Sequence, residues 1–381
     1  MTQAQWEIIL LASLTAMACS LPGVFLVLRR MTLLSDAISH TVLLGIVAAF
    51  FLTGSLTSPW LIIGAASMGV FTVVLVEGIQ KSTLVREDAA IGLVFPALFS
   101  LAVLLISLFG KNVHLDLDSV LLGKIALAPL PGRRLEIANL DLGPKSTWIM
   151  GSILLANLVF ILCFYKELKV TTFDPAFAKA IGFLPGLTHL GLVVLVSITS
   201  VAAFDAVGSI LVVALMSAPA AAAYLLTDRL ARMLLLAPLL GMASAVAGYG
   251  LARVLDASIS GAMATAAGGV FLLAFLFAPR RGLISQWQEG KFRRARLRLS
   301  MLAVHLFQHQ ETPLQEVECR EDTLFEHLLW SPGLTRRVVE HSLQQGLVER
   351  EKNFLQLTRQ GRKLAMEVLQ PGQAVFSPGS E

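Results

Sequence analysis

Leu34-Ser35-Asp36-Ala37-Ile38-Ser39-His40-Thr41-Val42-Leu43-Leu44-Gly45 places two ionisable side chains inside an otherwise apolar run. The run spans residues 35–54, close to the ~20 residues that cross a bilayer. An ionisable group in hydrocarbon costs at least a few kcal/mol, so it needs a partner or a function. Asp36 and His40 are four residues apart and therefore share one helix face. A carboxylate and an imidazole together make half of a ligand set for a divalent first-row metal. At ~1.5 Å per residue, they lie about 9 and 15 Å in from Arg30. That puts His40 near the middle of a hydrocarbon core ~30 Å thick. A proton pathway uses the same residue types. The bland readings are a helix-to-helix hydrogen bond, or an Asp36 that caps the helix start. Ser35 and Ser39 form a second four-residue pair, either as packing residues or as weak oxygen contacts.

The rest of the chain agrees with a membrane setting. It is 55% hydrophobic and only 15% charged, with a mean hydropathy of +0.72. Soluble chains carry about 25% charged residues. Nine spans are expected, near 8–28, 35–54, 59–79, 89–109, 147–165, 187–204, 208–226, 233–252 and 258–277. The count depends on splitting 187–226 at Asp205–Gly208. The N-terminal residues lack the basic segment of a signal peptide, so the first span reads as a retained helix. Lys and Arg follow every odd span, at Arg29-Arg30, Lys81, Arg86, Lys166, Lys169, Lys179, Arg229, Arg232 and Arg280-Arg281. By the positive-inside rule the N-terminus faces out and the C-terminus faces the cytoplasm. Arg133, Arg134 and Lys145, in the long outer loop 110–146, are exceptions. The net charge of +4 is thus no sign of nucleic-acid binding. Cys19, Cys163 and Cys319 show no metal or disulfide spacing and read as small buried side chains.

Small residues crowd the later spans, including Gly208, Gly241, Gly248, Gly261, Gly268 and Gly269, which allows close helix packing. Pro219 predicts a kink or break in span seven. In the outer loop, His114, Asp116 and Asp118 alternate as possible metal contacts, with a solvated loop edge the plainer reading. Asp205, at the outer end of span six, reads as a gate acid or an interfacial helix cap. Glu77 near the inner end of span three is expected to reach water. After span five, Asp174 suits an N-cap, Pro175 the first helical position and Gly182 the C-terminal stop. The short helix between them carries Phe177 and Ala178, and an exposed Phe177 invites a partner. No Walker-type signature occurs in the sequence, so an ATP-driven process would need a separate motor chain.

From Leu283 the composition turns polar. The segment 283–370 reads as a small cytoplasmic domain that starts with the basic run Lys-Phe-Arg-Arg-Ala-Arg-Leu-Arg from Lys291. That run can meet anionic headgroups or form a solvated linker helix. Residues 371–381 read as a flexible Pro/Gly/Ser tail.

Five ordered stretches resemble the permease subunits of ABC importers for zinc, manganese or iron. They are Ser35–His40, Arg86–Gly92, Asp116–Gly123, Phe173–Gly182 and Val207–Leu215 continuing to Pro219-Ala220. The resemblance covers about residues 5–282. It implies an all-α polytopic membrane protein with about nine helices in a bacterial cytoplasmic membrane. It also implies Asp36 and His40 lining the path of Zn2+, Mn2+ or Fe2+, which are cargo rather than a permanent cofactor. The implied partners are a cytoplasmic ATPase dimer on the Asp174–Gly182 helix, an extracytoplasmic metal-binding protein, and a second permease chain, identical or paralogous. The chain itself is then a transport subunit and not an enzyme. Departures from the family pattern fall at Leu121-Leu122-Gly123 and Asp205.

A second resemblance lies in the C-terminal domain. A helix from Leu334 to Val348, then Gly346-Leu347-Val348, then Leu357-Thr358-Arg359-Gln360-Gly361-Arg362-Lys363-Leu364-Ala365 looks like an α+β winged helix of the iron/manganese-dependent repressor type. That implies possible DNA contacts at Arg336 and Arg337. Residues 278–381 hold 15 Lys and Arg against 12 Asp and Glu, a net of 15 − 12 = +3, weak for nucleic acid. Protein contact or metal-linked regulation is favoured for this domain. Two rival functions stay open: a proton-coupled secondary metal transporter, and a membrane-tethered metal-responsive regulator.

Overall fold

The computed structural model describes residues 2–54, 60–81, 85–109, 125–130, 134–137, 140–310, 312–313, 315–351 and 354–369. Two compact units divide at residue 283.

In the first unit, nine helices among the described residues are long and apolar enough to cross a bilayer. They are α1 (Gln3–Leu28), α2 (Thr32–Thr53), α3 (Trp60–Lys81), α4 (Glu87–Phe109), α5 (Lys145–Cys163), α8 (Pro185–Val207), α9 (Ser209–Leu226), α10 (Leu230–Leu255) and α11 (Ile259–Phe277). Each falls within a few residues of the span expected from hydropathy. The split of 187–226 is real: Gly208, at φ +87°, ends α8 and begins α9. A side chain there would be strained, so glycine makes the break.

The α1 helix is the hub. Most of its residues from Leu11 to Leu26 are buried, against α5, α8, α9 and α10. Asn157 of α5 fastens this hub. Its amide donates to the Ala18 carbonyl at 2.8 Å and to Thr199 of α8 at 3.0 Å. The rest of α5 buries little beyond Met150 and Ile161. Cys163, at its end, is exposed rather than buried, which suits a helix facing lipid.

The α2 helix lies on α3 and α4 and also touches α8 and α9. Gly45 and Gly64 set the α2–α3 spacing: a Cβ on Gly45 would stand 2.3 Å from the Gly64 carbonyl oxygen. Thr72 of α3 donates to Thr41 of α2 at 2.8 Å. Gly241 and Gly248 are close contacts too, whereas Gly268 and Gly269 meet nothing within 4 Å. Only part of the dense small residues therefore packs helices within this chain. Pro219 breaks nothing: α9 runs continuously through it.

The long loop holds a short antiparallel hairpin, β1 (Arg134–Ile137) and β2 (Leu140–Pro144). Arg134 accounts for one of the three charge exceptions. Its guanidinium holds both oxygens of Glu7 in α1, at 2.8 and 3.2 Å, with side chains 17% and 13% exposed. A paired arginine brings no net charge, so it does not oppose the positive-inside pattern. His114, Asp116, Asp118 and the Leu121–Gly123 departure lie outside the described residues.

The second unit starts within α12 (Leu283–His309). It continues through α13 (Gln315–Glu318), α14 (Leu324–His327), α15 (Pro332–Gln344), the hairpin β3 (Val348–Glu351) and β4 (Phe354–Leu357), and α16 (Arg359–Leu369). Val348 pairs with Leu357 and Glu351 with Phe354. The core joins Leu302, Leu306, Val339, Leu355 and Ala365. The helix expected over 334–348 instead spans 332–344. Ser331 and Pro332 start it, and the turn through Gly346, at φ +65°, leads into β3. Cys319 is buried here, and burial pushes its thiol up to about 11, so it is unreactive near neutral pH.

Candidate metal path and coupling surface

Helix α2 begins at Thr32, so Asp36 is its fifth residue and His40 its ninth of 22. His40 is thus ~12 Å along a helix ~33 Å long, nearer a third of the way than the centre. One turn of helix brings the pair together, with Asp36 Oδ1 3.4 Å from His40 Nε2. The serines point elsewhere. Ser35 donates to the Thr32 carbonyl at 2.9 Å and Ser39 to the Ser35 carbonyl at 2.8 Å, and both are buried. They are packing residues with internally satisfied hydroxyls.

The imidazole of His40 meets two aromatic rings of α4, Phe95 and Phe99, at centroid distances of 5.6 and 5.8 Å. This aromatic wall restricts the ring and leaves its nitrogens to other partners. The open side belongs to the pair: 40% of the Asp36 side chain and 30% of His40 are accessible in the single chain. A carboxylate and an imidazole sharing one accessible helix face offer a hard and a borderline donor to a small cation.

A second cluster was not foreseen. Arg29, just past α1, donates to Thr172 and Thr171 at 3.2 Å each, and its Nη1 meets His189 Nδ1 at 2.9 Å. Because arginine can only donate, Nδ1 accepts and the His189 proton sits on Nε2. That nitrogen faces the Glu77 carboxylate of α3 in close contact. Glu77 is thus partnered, while 29% of its side chain stays accessible. Arg29, Glu77 and His189 sit at the ends of three separate helices, so no sequence spacing ties them. Burial lowers the pKa of the Arg29 guanidinium from its ordinary value.

Thr171 and Thr172 lie on α6 (Tyr165–Phe173), directly before the expected loop helix, α7 (Pro175–Ala180). The capping is as read from the sequence. The Asp174 carboxylate accepts from Phe177 N–H at 2.9 Å, and Pro175 is the first helical residue. At the other end, Gly182 at φ +89° lets its N–H reach the Lys179 carbonyl and Phe183 N–H reach the Ala178 carbonyl. Those two bonds form a Schellman cap. Ala178 is buried, while Phe177 is 55% exposed beside exposed Phe173, Ile181 and Leu184.

Asp205 lies in the last turn of α8 and is exposed. It caps neither helix, since Gly208 is the N-cap of α9 and offers no side chain. In the second unit, Arg336 pairs with Glu340 one turn on, at 3.6 Å, and Arg337 donates to the Gly333 carbonyl at 3.1 Å. Both stay exposed and their nearest partners lie on their own helix.

Residues 1–278 match the ABC 3 transport family. The chain belongs to that family. A member from Treponema pallidum, the zinc transport system membrane protein TroD, is 48% identical over 359 residues, covering 94% of this chain and 97% of that protein. The manganese transport system membrane protein MntD of Bacillus subtilis is 49% identical over 273 residues, covering 72% and 92%. Among solved structures, PsaBC from Streptococcus pneumoniae in complex with Fab superposes with a TM-score of 0.62 at 28% identity, covering 76% of this chain and 96% of that chain. This ABC 3 member is therefore an integral, multi-pass permease of the metal-importer type, as the five sequence stretches implied. The TroD match extends well past residue 278, so it includes much of the second unit.

Proposed function

We propose that this chain is the permease through which an ATP-binding-cassette importer moves a divalent transition metal, with Asp36 and His40 as ligands along the path. The observation that carries the reading is the accessible Asp36–His40 pair on a membrane helix, 3.4 Å apart and backed by Phe95 and Phe99. Two protein ligands hold an ion loosely, and a transport site must release what it binds. The uncovered side of the pair supports a second permease chain, identical or paralogous, that completes the path. Zinc, manganese and iron all suit an Asp and a His, and relatives named for zinc and for manganese match about equally well.

The capped α7 helix is proposed as the seat of the ATPase dimer, through Phe177 and its exposed apolar neighbours. Arg29 would carry its movement to α1, α3 and α8 through Thr171, Thr172, His189 and Glu77. An extracytoplasmic binding protein would deliver the ion, with the N-terminus outside and the second unit in the cytoplasm. The helices and hairpin of that unit are read as a winged helix used for protein contact or regulation, with DNA binding through Arg336 and Arg337 not favoured.

Proteoliposomes holding the permease and its ATPase test the class of transporter. Uptake of zinc, manganese or iron should require ATP hydrolysis and stop with a hydrolysis-dead ATPase. Uptake that survives the dead ATPase but collapses with the proton gradient would replace this reading with secondary transport.

A further inference from the structure

A separate group of metal-ligating side chains lies wholly within the second unit. His305 and His309 stand one turn apart on α12, with ring centroids 4.9 Å apart. This i, i+4 spacing of histidines on a helix presents two imidazoles to one ion. His327, the last residue of α14, stacks at 6.1 Å from His305. Glu318, the last residue of α13, turns its carboxylate into the group. Its Oε2 is 3.0 Å from His327 Nδ1 and 3.7 Å from His305 Nε2. One donor atom each from His305, His309 and Glu318 lies within 4.8 Å of the other two.

Ligands around a tetrahedral ion at bonds of ~2.1 Å stand about 3.4 Å from one another. Rotamer adjustments of about an ångström would therefore close the group on an ion. Two imidazoles contact one carboxylate here and a third lies near it, and a neutral imidazole keeps a lone pair on the ring nitrogen that lacks the proton. His305 Nε2 meets the Glu318 backbone carbonyl at 3.0 Å; a carbonyl only accepts, so Nε2 carries the proton and Nδ1 is the nitrogen left to ligate. Such backing is what ligating histidines ordinarily have. The side chains of His305, Glu318 and His327 are 13%, 21% and 25% exposed, open enough for an ion and too recessed for a macromolecule.

We infer that His305, His309, His327 and Glu318 form a binding site for a divalent first-row transition metal, apart from the membrane pair. Bound there, the ion ties α12, α13 and α14 together. Three nitrogens and one oxygen match zinc well.

The test uses the full-length chain in detergent, carrying Asp36→Asn and His40→Gln so that the membrane pair does not contribute. After loading with Zn2+ or Co2+ and desalting, one metal per chain should remain. Bound Co2+ should show visible absorption, and Zn2+ should raise the melting temperature. His309→Gln and, separately, Glu318→Gln should each lose that equivalent or weaken it at least about tenfold. His327→Gln serves if either of them misfolds by its metal-free melting curve. Unchanged metal retention in correctly folded variants, or no retention in the starting background, would overturn the site.

Discussion

At the scale of single residues, the proposed function has Asp36 and His40 divide the work of holding a cation. The carboxylate supplies charge, and the imidazole supplies a nitrogen whose ring is fenced by Phe95 and Phe99. Asp36→Asn keeps an oxygen in place and removes the charge. Uptake should fall by about tenfold or more, with normal protein levels in the membrane. Asn157 gives a stability prediction. Asn157→Leu leaves the Ala18 carbonyl and Thr199 without their partner. The expected cost is about 1 kcal/mol, since hydrogen bonds between membrane helices average less than those measured in model peptides. A melting curve in detergent checks it. Rarity makes Asp36 and His40 legible in sequence, because each is an expensive residue in an apolar run. The Arg29–His189–Glu77 chain was not legible. Arg29 and His189 lie 160 residues apart, with Glu77 between them in sequence; the three meet only after three helices pack, and each alone looks like an ordinary polar residue at a membrane boundary.

At the scale of elements, α7 is short enough that its caps decide whether it forms. Asp174→Ala removes the bond to Phe177 N–H and should cost about 1 kcal/mol locally. Phe177→Ala leaves the helix intact and removes its most prominent apolar side chain. Pull-down of the ATPase should weaken with Phe177→Ala while the permease stays folded. Arg29→Met should instead leave ATPase binding unchanged and lower ion uptake per ATP hydrolysed, because it cuts the link from α6 to α3 and α8. Cap chemistry was readable because N-cap, Pro and Gly each impose a local geometry. Two elements were misjudged from sequence for physical reasons. The α9 helix carries Pro219 without a break, since packing against its neighbours outweighs one missing hydrogen bond. The β1–β2 hairpin alternates apolar and polar residues, but its strands of four and five residues are too short to stand out, and its role emerges only when Arg134 reaches Glu7.

At the scale of the molecule, two units share one chain, and the apolar unit owes its legibility to the bilayer. The nine hydropathic runs are nine helices among the described residues, because each must satisfy its backbone internally. The α+β unit was read from one resemblance and a few turn residues, and nothing in its pattern announced that three histidines and Glu318 would converge. Orientation is checked by Arg294→Cys on α12, which a membrane-impermeant thiol reagent should modify only when applied to the cytoplasmic side. The most direct measurement of the central claim is ATP-driven uptake of zinc and of manganese by the assembled transporter carrying Asp36→Asn and His40→Gln together. The account expects both ions to lose most of their uptake while the assembly still forms and the ATPase still binds. Uptake at the unsubstituted rate would show that the metal does not pass these two side chains.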